Sequence, residues 1–167
     1  MAEPTPDGHH FIVDGRKWRA TDPGIPEKLR TELVAELMAA RRAVKTAAGE
    51  ETATRAARNR VQDAKVALVE RGDPWWEPAT PEGRAERLAA AIRTLLRHRD
   101  PDKTICPSDA ARVAGGAQWR EAMDVARAVA GELAGAGMIE VRQGGEKVEI
   151  DRAKGPVRLA RGPGWEG

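Results

Sequence analysis

The order of helical and extended segments between residues 84 and 159 constrains the fold of this chain more than any other feature. Apolar residues recur at helical spacing from residue 88 to residue 96, which predicts an amphipathic helix. Residues 104–106 are a short extended segment. Pro107 suits the first position of a second helix, and the Gly115-Gly116 pair should end that helix after about two turns.

A third helix and a hairpin complete this order. Trp119, Met123 and Leu133 fall on one stripe, which predicts a long helix that starts at Trp119. A two-residue Gly144-Gly145 turn would place every apolar residue of the hairpin on one face. The cross-strand pairs in this register are Gln143 with Glu146, Arg142 with Lys147, Val141 with Val148, and Ile139 with Ile150. This order predicts a winged helix-turn-helix domain over residues 84–160, followed by a flexible tail at 161–167.

The N-terminal half contains a different set of elements. Asp14-Gly15 suits a two-residue turn that pairs Phe11 with Trp18, and their shared face should pack on the following helices because an isolated hairpin is marginal in water. Helices predicted at 27–46 and 51–71 have similar lengths and a short connection, which indicates an antiparallel helical hairpin. The predicted fold class is therefore mainly α with small β: a β-hairpin and helical-hairpin domain at 1–73, a linker at 74–83 and the winged-helix domain.

The linker contains three prolines and two adjacent tryptophans, Trp75 and Trp76. Two interpretations of this pair stay open. The rings could stack on bases of single-stranded nucleic acid, or they could dock one part of the chain or a partner. Docking is the commoner case because large aromatic side chains are seldom left exposed.

A family resemblance rests on the C-terminal sequence. The stretch TICPSDAARVAGGAQWREAMDVARAVAGELAGAGMIEVRQGGEKVEI, followed by GPVRLA, resembles a bacterial domain family of unknown function with a winged-helix-like fold. The resemblance covers residues 84–160, and TICPSD, WREAM and GPVRL are its most specific parts; GPVRL should add an extended strand. It implies no activity, substrate or catalytic residue. The stretch DGRKWRATDPGIPEKLRTELVAELMAARRAV resembles a segment of small uncharacterised bacterial proteins.

The charge balance limits the functions that fit. Lys and Arg number 28 against 26 Asp and Glu, a net charge of +2, which argues against tight non-specific nucleic-acid binding. The predicted third helix presents Arg120 and Arg127 away from the core, but Asp124 could pair with both. The opposed Arg142 and Lys147 could hold a phosphate between them, or diagonal acids could neutralise them. The candidate nucleic-acid contacts are Arg120, Arg127, Arg142, Lys147 and Arg158.

The helical hairpin carries a second set of basic side chains near its tip. They are Arg41, Arg42, Lys45, Arg55, Arg58 and Arg60, with Glu50 and Glu51 as the nearby acids. The set could bind phosphate, or it could be an ordinary solvated surface, which is the commoner case.

Residues that could support catalysis or metal binding are few. Cys106 at a helix N-terminus could be an activated thiol with His98 nearby in sequence, although a buried, inert Cys is commoner. His9 and His10 near Asp14 form an incomplete metal-ligand set, and a flexible terminus is expected there. Nucleotide-binding, metalloprotease and nucleophile-elbow motifs are absent from the sequence. We therefore expect no enzyme activity, no cofactor and no metal.

These features predict a nucleic-acid-binding module, with double-stranded DNA as its partner and transcription regulation as one role it could serve. The alternative is a protein-interaction or assembly module, in which the helical hairpin or the Trp75-Trp76 region contacts a protein partner or a second copy. The chain has a single Cys and no apolar stretch of the roughly 20 residues that cross a bilayer. With no signal-peptide pattern at its N-terminus, we expect a cytoplasmic protein without membrane contact.

Overall fold

The computed structural model describes residues 2–166, and over this range the chain is mainly helical with small antiparallel sheets. The strands are β1 (Glu3–Pro4), β2 (His10–Val13), β3 (Arg16–Arg19), β4 (Ile139–Gln143), β5 (Glu146–Lys147) and β6 (Arg158–Arg161). The α-helices are α1 (Glu27–Thr46), α2 (Glu51–Leu68), α3 (Pro81–His98), α4 (Pro107–Gly115) and α5 (Met123–Gly135). None of these helices is both long and apolar enough to cross a bilayer.

The N-terminal sheet has the strand order β1-β2-β3. The predicted pairing of Phe11 with Trp18 is confirmed. Asp14 and Gly15 both have positive φ, 51° and 76°, as a type I′ turn requires. The expectation of a flexible terminus is wrong for the described part of this segment, because β1 pairs with β2 and gives the hairpin a third strand.

The predicted packing of the hairpin face is wrong. Phe11 and Trp18 are 39% and 41% exposed. The sheet is held by its last strand instead: the Arg19 guanidinium donates to the carbonyl oxygens of Val69 and Gly72, at 3.3 and 2.7 Å. These polar contacts fix the position of the sheet without covering its aromatic pair.

Helix α2 ends three residues earlier than the sequence pattern predicts. Val69 takes the left-handed conformation, with φ 66°, and the Glu70 N–H donates to the Lys65 carbonyl at 2.8 Å. A β-branched residue rarely adopts this conformation. Val69 is only 1% exposed, so burial against the core offsets the strain and turns the chain towards α3.

The hydrophobic core is continuous across both halves of the chain, whereas the sequence predicted separate domains. Leu33 of α1, Leu68 of α2, Leu95 of α3, Val113 of α4 and Leu159 of β6 all belong to it and are fully buried. Helix α3 makes this possible because it packs on α1 and α2 as well as on α4 and α5. The segment 74–83 therefore connects two parts of one core.

Buried ion pairs join the helices around this core. Asp63 of α2 accepts hydrogen bonds from Arg93 and Arg97 of α3, with an Asp63 Oδ1 to Arg93 Nη2 distance of 2.8 Å. Arg87 of α3 contacts Asp22 with an N–O distance of 2.9 Å. Further pairs of this kind are Arg60 with Glu36, and Arg99 with Glu32.

The C-terminal sheet has the strand order β5-β4-β6. The predicted pairing of Arg142 with Lys147 across the Gly144-Gly145 turn is confirmed. The predicted pairing of Ile139 with Ile150 is wrong, because the ladder between β4 and β5 ends at Lys147 and Ile150 lies in a turn that packs on Gly131 of α5. The strand foreseen from GPVRL is β6, which pairs with the other edge of β4 and places Arg161 opposite Ile139. A bridge between residues 105 and 159 adds the short extended segment to the sheet beside β6.

The third helix starts later than predicted. Trp119 lies in a 3₁₀ helix, Gly116–Ala122, and α5 begins only at Met123. Gly116 has φ 54°, and a Cβ atom there would lie 3.1 Å from the Gly24 carbonyl oxygen. This close backbone contact requires glycine and sets the tight turn between α4 and α5.

The C-terminal segment is packed rather than flexible over residues 161–166, so that prediction is wrong; Gly167 lies outside the described residues. Arg161 donates to the carbonyl oxygens of Leu96 and Arg99, at 2.8 and 3.0 Å. Trp165 packs against the core, and the Gly164 N–H donates to a carbonyl of the α5–β4 turn at 2.8 Å. The segment closes the end of α3.

Asp73 ties the loop after α2 to the start of α3. Its carboxylate accepts hydrogen bonds from the backbone N–H and the hydroxyl of Thr80, at 2.9 and 2.7 Å, and these bonds lower its pKa. A lowered pKa contributes stability at pH values above the unfolded-state pKa of about 4, and this contribution is lost as the pH falls through the folded-state pKa. We therefore expect the melting temperature of Asp73→Asn, measured by circular dichroism, to fall less steeply with decreasing pH than that of the wild type. Asp102→Asn, at an exposed position, is the control. Equal falls in melting temperature at acid pH for the wild type and both variants would contradict this prediction.

Candidate nucleic-acid interface

Three basic side chains form a row across the C-terminal sheet. Arg142 on β4 lies directly opposite Lys147 on β5 and directly opposite Arg158 on β6. Directly opposed residues share a face of a sheet. Their neighbours Val141 and Leu159 are opposed and buried, so the basic row, Lys147-Arg142-Arg158, lies on the outer face.

Two members of the basic row are oriented by local hydrogen bonds. The Arg142 Nε atom donates to a carboxylate oxygen of Glu140 at 2.7 Å. The Arg158 guanidinium donates to the hydroxyl and the carbonyl of Thr104, at 2.9 and 3.0 Å. Within residues 2–166, Lys147 and Arg158 form no ion pair, so Glu140 is the carboxylate that neutralises part of the row. Like charges directly opposed on a sheet are destabilising, and an anion across the row would relieve this.

Arg127 does not belong to an open surface, contrary to the sequence interpretation. It is half-buried, and its guanidinium donates to the carbonyl oxygens of Ile150, Ala153 and Gly155 at 3.3, 3.0 and 3.4 Å. These bonds hold residues 148–156 against the outer face of α5. The sequence pattern missed this because the second hairpin strand ends at Lys147 and the chain then crosses the helix.

The same segment encloses a groove beside α5. Its volume is about 680 Å³, and its walls are α5, residues 139–141 of β4 and residues 147–153. The contact is close: a Cβ atom at Gly131 would lie 3.1 Å from the Ile150 Cγ2 atom. A covered α5 is poorly placed to enter a major groove, where an uncovered helix face is needed.

Arg120 lies in a different arrangement from the one its spacing predicts. Its guanidinium carbon is 4.5 Å from the centre of the Trp119 ring, and that of Arg112 is 4.3 Å from the same ring. Both arginines are exposed, and over residues 2–166 Asp124 forms no ion pair with Arg120 or Arg127. This Arg-Trp-Arg stack combines two cations with one aromatic ring. Sequence reasoning did not identify Arg112 as a member of this stack. Its position in the last turn of α4, shortly before Trp119, could have indicated the contact.

The Trp75-Trp76 pair is engaged within the chain. The Trp75 indole N–H donates to the Ala20 carbonyl at 3.0 Å. The His9 imidazole stacks on the Trp76 ring with 4.0 Å between ring centres and 6° between planes. Both tryptophans are half-buried, and their contacts dock the N-terminal sheet on the segment after α2.

The remaining candidates for chemistry are separate from these surfaces. Cys106 is half-buried at the N-cap of α4, and its backbone N–H donates to Asp109 at 2.9 Å. His98 is exposed at the end of α3. In the described part of the chain, no group of three His, Cys, Asp or Glu side chains is arranged to hold a metal ion.

Comparison with known proteins found a family match in the C-terminal region. Residues 85–162 match the model of a family described as "Protein of unknown function (DUF3253)". The match spans α3 to β6 and includes the basic row and the Arg-Trp-Arg stack. A search of curated proteins found no match to the chain.

Proposed function

We propose that the region matching DUF3253 binds duplex nucleic acid through the phosphates, with the basic row as the principal contact. Three cations on adjoining strands, partly neutralised by one carboxylate, are the observation that carries this proposal. Neighbouring strands lie about 4.8 Å apart, so the row extends over about 10 Å. Phosphate contacts position a protein without reading the sequence, and we therefore expect little sequence preference from this surface alone.

The order of elements supports the proposal. Helix α3, the extended residue 105, helices α4 and α5, and strands β4 and β6 follow one another as in a winged helix-turn-helix, with residues 144–157 as the wing. Domains of this architecture also bind proteins, so the order alone does not assign a ligand. Because residues 148–156 cover α5, the proposed contact is made by the sheet and not by an inserted helix.

Binding to a labelled random-sequence duplex, followed by fluorescence anisotropy over a range of salt concentrations, tests this function. Each phosphate contact contributes about 0.9 to the slope of log K against log salt, so three contacts predict a slope of roughly −2.7. Reversing Arg142 and Lys147 to Glu should reduce the slope to about −0.9 and weaken binding at least about tenfold at low salt.

The control makes the same change of charge on the other sheet. Arg16 and Lys17 are exposed on β3, and reversing both to Glu should leave duplex binding within about twofold of the wild type. Equal losses in the two double variants would mean that net charge, and not the basic row, determines binding. Absence of binding by the wild type at low salt would reject the proposed function.

A further inference from the structure

A second basic surface lies on the helical hairpin, between α1 and α2. Two valines, Val44 and Val61, form its floor, and its volume is about 490 Å³. Lys65 lies next to it, near Arg41 and Arg71. We define the basic groove by its valine floor and by five cations on its rim: Arg41, Lys45, Arg58, Lys65 and Arg71.

Within the range that the structure describes, the rim cations lack acidic partners, unlike two other arginines of the same hairpin. Arg60, on the same hairpin, forms a bidentate pair with the buried Glu36, and Arg55 pairs with Glu51. Across residues 2–166, none of the five rim cations has a carboxylate within ion-pair distance; Arg71 donates instead to the Gln62 amide oxygen. Of the six cations of the predicted basic tip, Arg55 and Arg60 are therefore neutralised, whereas Arg41, Lys45 and Arg58 belong to the groove and are not.

The cations on the rim also disfavour one another. Partial burial lowers the pKa of Lys65, repulsion from Arg71 and Arg41 lowers it further, and Glu70 acts in the opposite direction. Desolvation and like charges both oppose the charged form of a lysine. Carboxylates brought to the rim would relieve this repulsion, and arginine can bind them in a bidentate geometry.

We propose that the basic groove docks an acidic amphipathic segment of a partner protein, with one apolar side chain on the Val44-Val61 floor and carboxylates against the rim. This goes beyond duplex binding because it assigns another ligand class to the other half of the chain. The aliphatic floor favours a peptide over a nucleic acid, whose bases need a free aromatic face. The aromatic ring nearest to Lys65, that of Trp18, already has Arg16 and Lys65 at 4.7 and 5.7 Å from its centre.

The test is selection from an unbiased library of displayed random 12-residue peptides on the full-length protein. Peptides that also bind the double variant Arg41→Glu/Arg58→Glu are removed by counter-selection, because Arg41 and Arg58 line the groove. Peptides that depend on the groove should carry a net negative charge and at least one large apolar residue. A synthetic peptide from this set should bind the double variant at least tenfold more weakly in fluorescence anisotropy, and replacing its apolar residue with Ser should weaken binding to the wild type similarly.

Arg42→Glu is the control on the same helix. Arg42 is exposed and adjacent to Arg41 in α1, but it does not line the groove. Its reversal should change the peptide Kd by less than about twofold. The double variant should also melt at a temperature no lower than that of the wild type, because it removes like-charge repulsion.

Other outcomes overturn the proposal. Enriched peptides that are not acidic, or that bind the double variant equally well, would exclude this occupant. A single-stranded oligonucleotide that binds the groove more tightly than the selected peptides would make it a nucleic-acid site. Self-association in sedimentation, lost in the double variant, would make a second copy the occupant. The basic row is unaltered in these variants, so duplex binding reports separately on the proposed function.

Discussion

Replacing Asp63 with Ala should lower the free energy of unfolding by about 3–5 kcal/mol, the cost of leaving a buried charge without its partner. The Asp63 side chain is 12% exposed, and it is the acceptor for both Arg93 and Arg97. Arg97 is still more buried, with 8% of its side chain exposed. One deletion therefore orphans two guanidinium groups between α2 and α3, at the boundary of the two halves.

Urea unfolding followed by circular dichroism measures this effect. Glu51→Ala is the control, because Glu51 pairs with Arg55 where both side chains are largely exposed, at 89% and 72%. Breaking that surface pair should cost about 0.3–0.5 kcal/mol. A loss below about 1 kcal/mol for Asp63→Ala would mean that water reaches the two arginines and compensates for the missing carboxylate.

Arg87→Met should destabilise the chain by about 3 kcal/mol, because Arg87 joins three segments that are distant in sequence. Its guanidinium donates to the carbonyl oxygens of Ala67 and Ala114, at 3.1 and 3.4 Å, and to Asp22 at 2.9 Å. Burial lowers the pKa of Arg87, and the Asp22 carboxylate opposes this shift. Methionine fills the space of the aliphatic part of Arg87, but it leaves the Asp22 carboxylate and the two backbone carbonyls without the hydrogen-bond donor that Arg87 provides.

A second substitution separates the orphaned charge from the lost packing. Adding Asp22→Asn to Arg87→Met removes the buried charge and should restore about 1–2 kcal/mol. Asp22 also accepts a hydrogen bond from the Gly24 N–H at 2.8 Å, which an asparagine oxygen can still do. If the double variant unfolds as easily as Arg87→Met, the penalty comes from the carbonyls and not from Asp22.

Local patterns predicted the elements of this fold well, and non-local contacts account for the errors. The Asp14-Gly15 turn and the pairing of Arg142 with Lys147 follow from a few adjacent residues. The exposure of Phe11 and the displacement of Ile150 depend on segments that are distant in sequence. The hairpin ladder stops at Lys147 because the following segment is held on α5 by Arg127, and this contact could not be read from the hairpin sequence.

The candidate surfaces were predictable to a similar extent. The sequence identified Arg142 and Lys147 as opposed, but it gave no means of placing Arg158 in the same row. Arg127 was assigned to the wrong environment because a helical stripe identifies the outward face and not what covers it. The valine floor of the basic groove was hidden because it depends on how α1 and α2 lie against each other.

The continuous core makes the two halves one thermodynamic unit. A ligand that binds only the folded chain shifts the unfolding equilibrium of everything that folds with its site. A peptide in the basic groove and a duplex on the basic row should therefore each raise the same single melting transition. Conversely, the segment 85–162 expressed alone would expose the surface of α3 that packs on α2, so excision at the family boundary should yield a chain prone to aggregate.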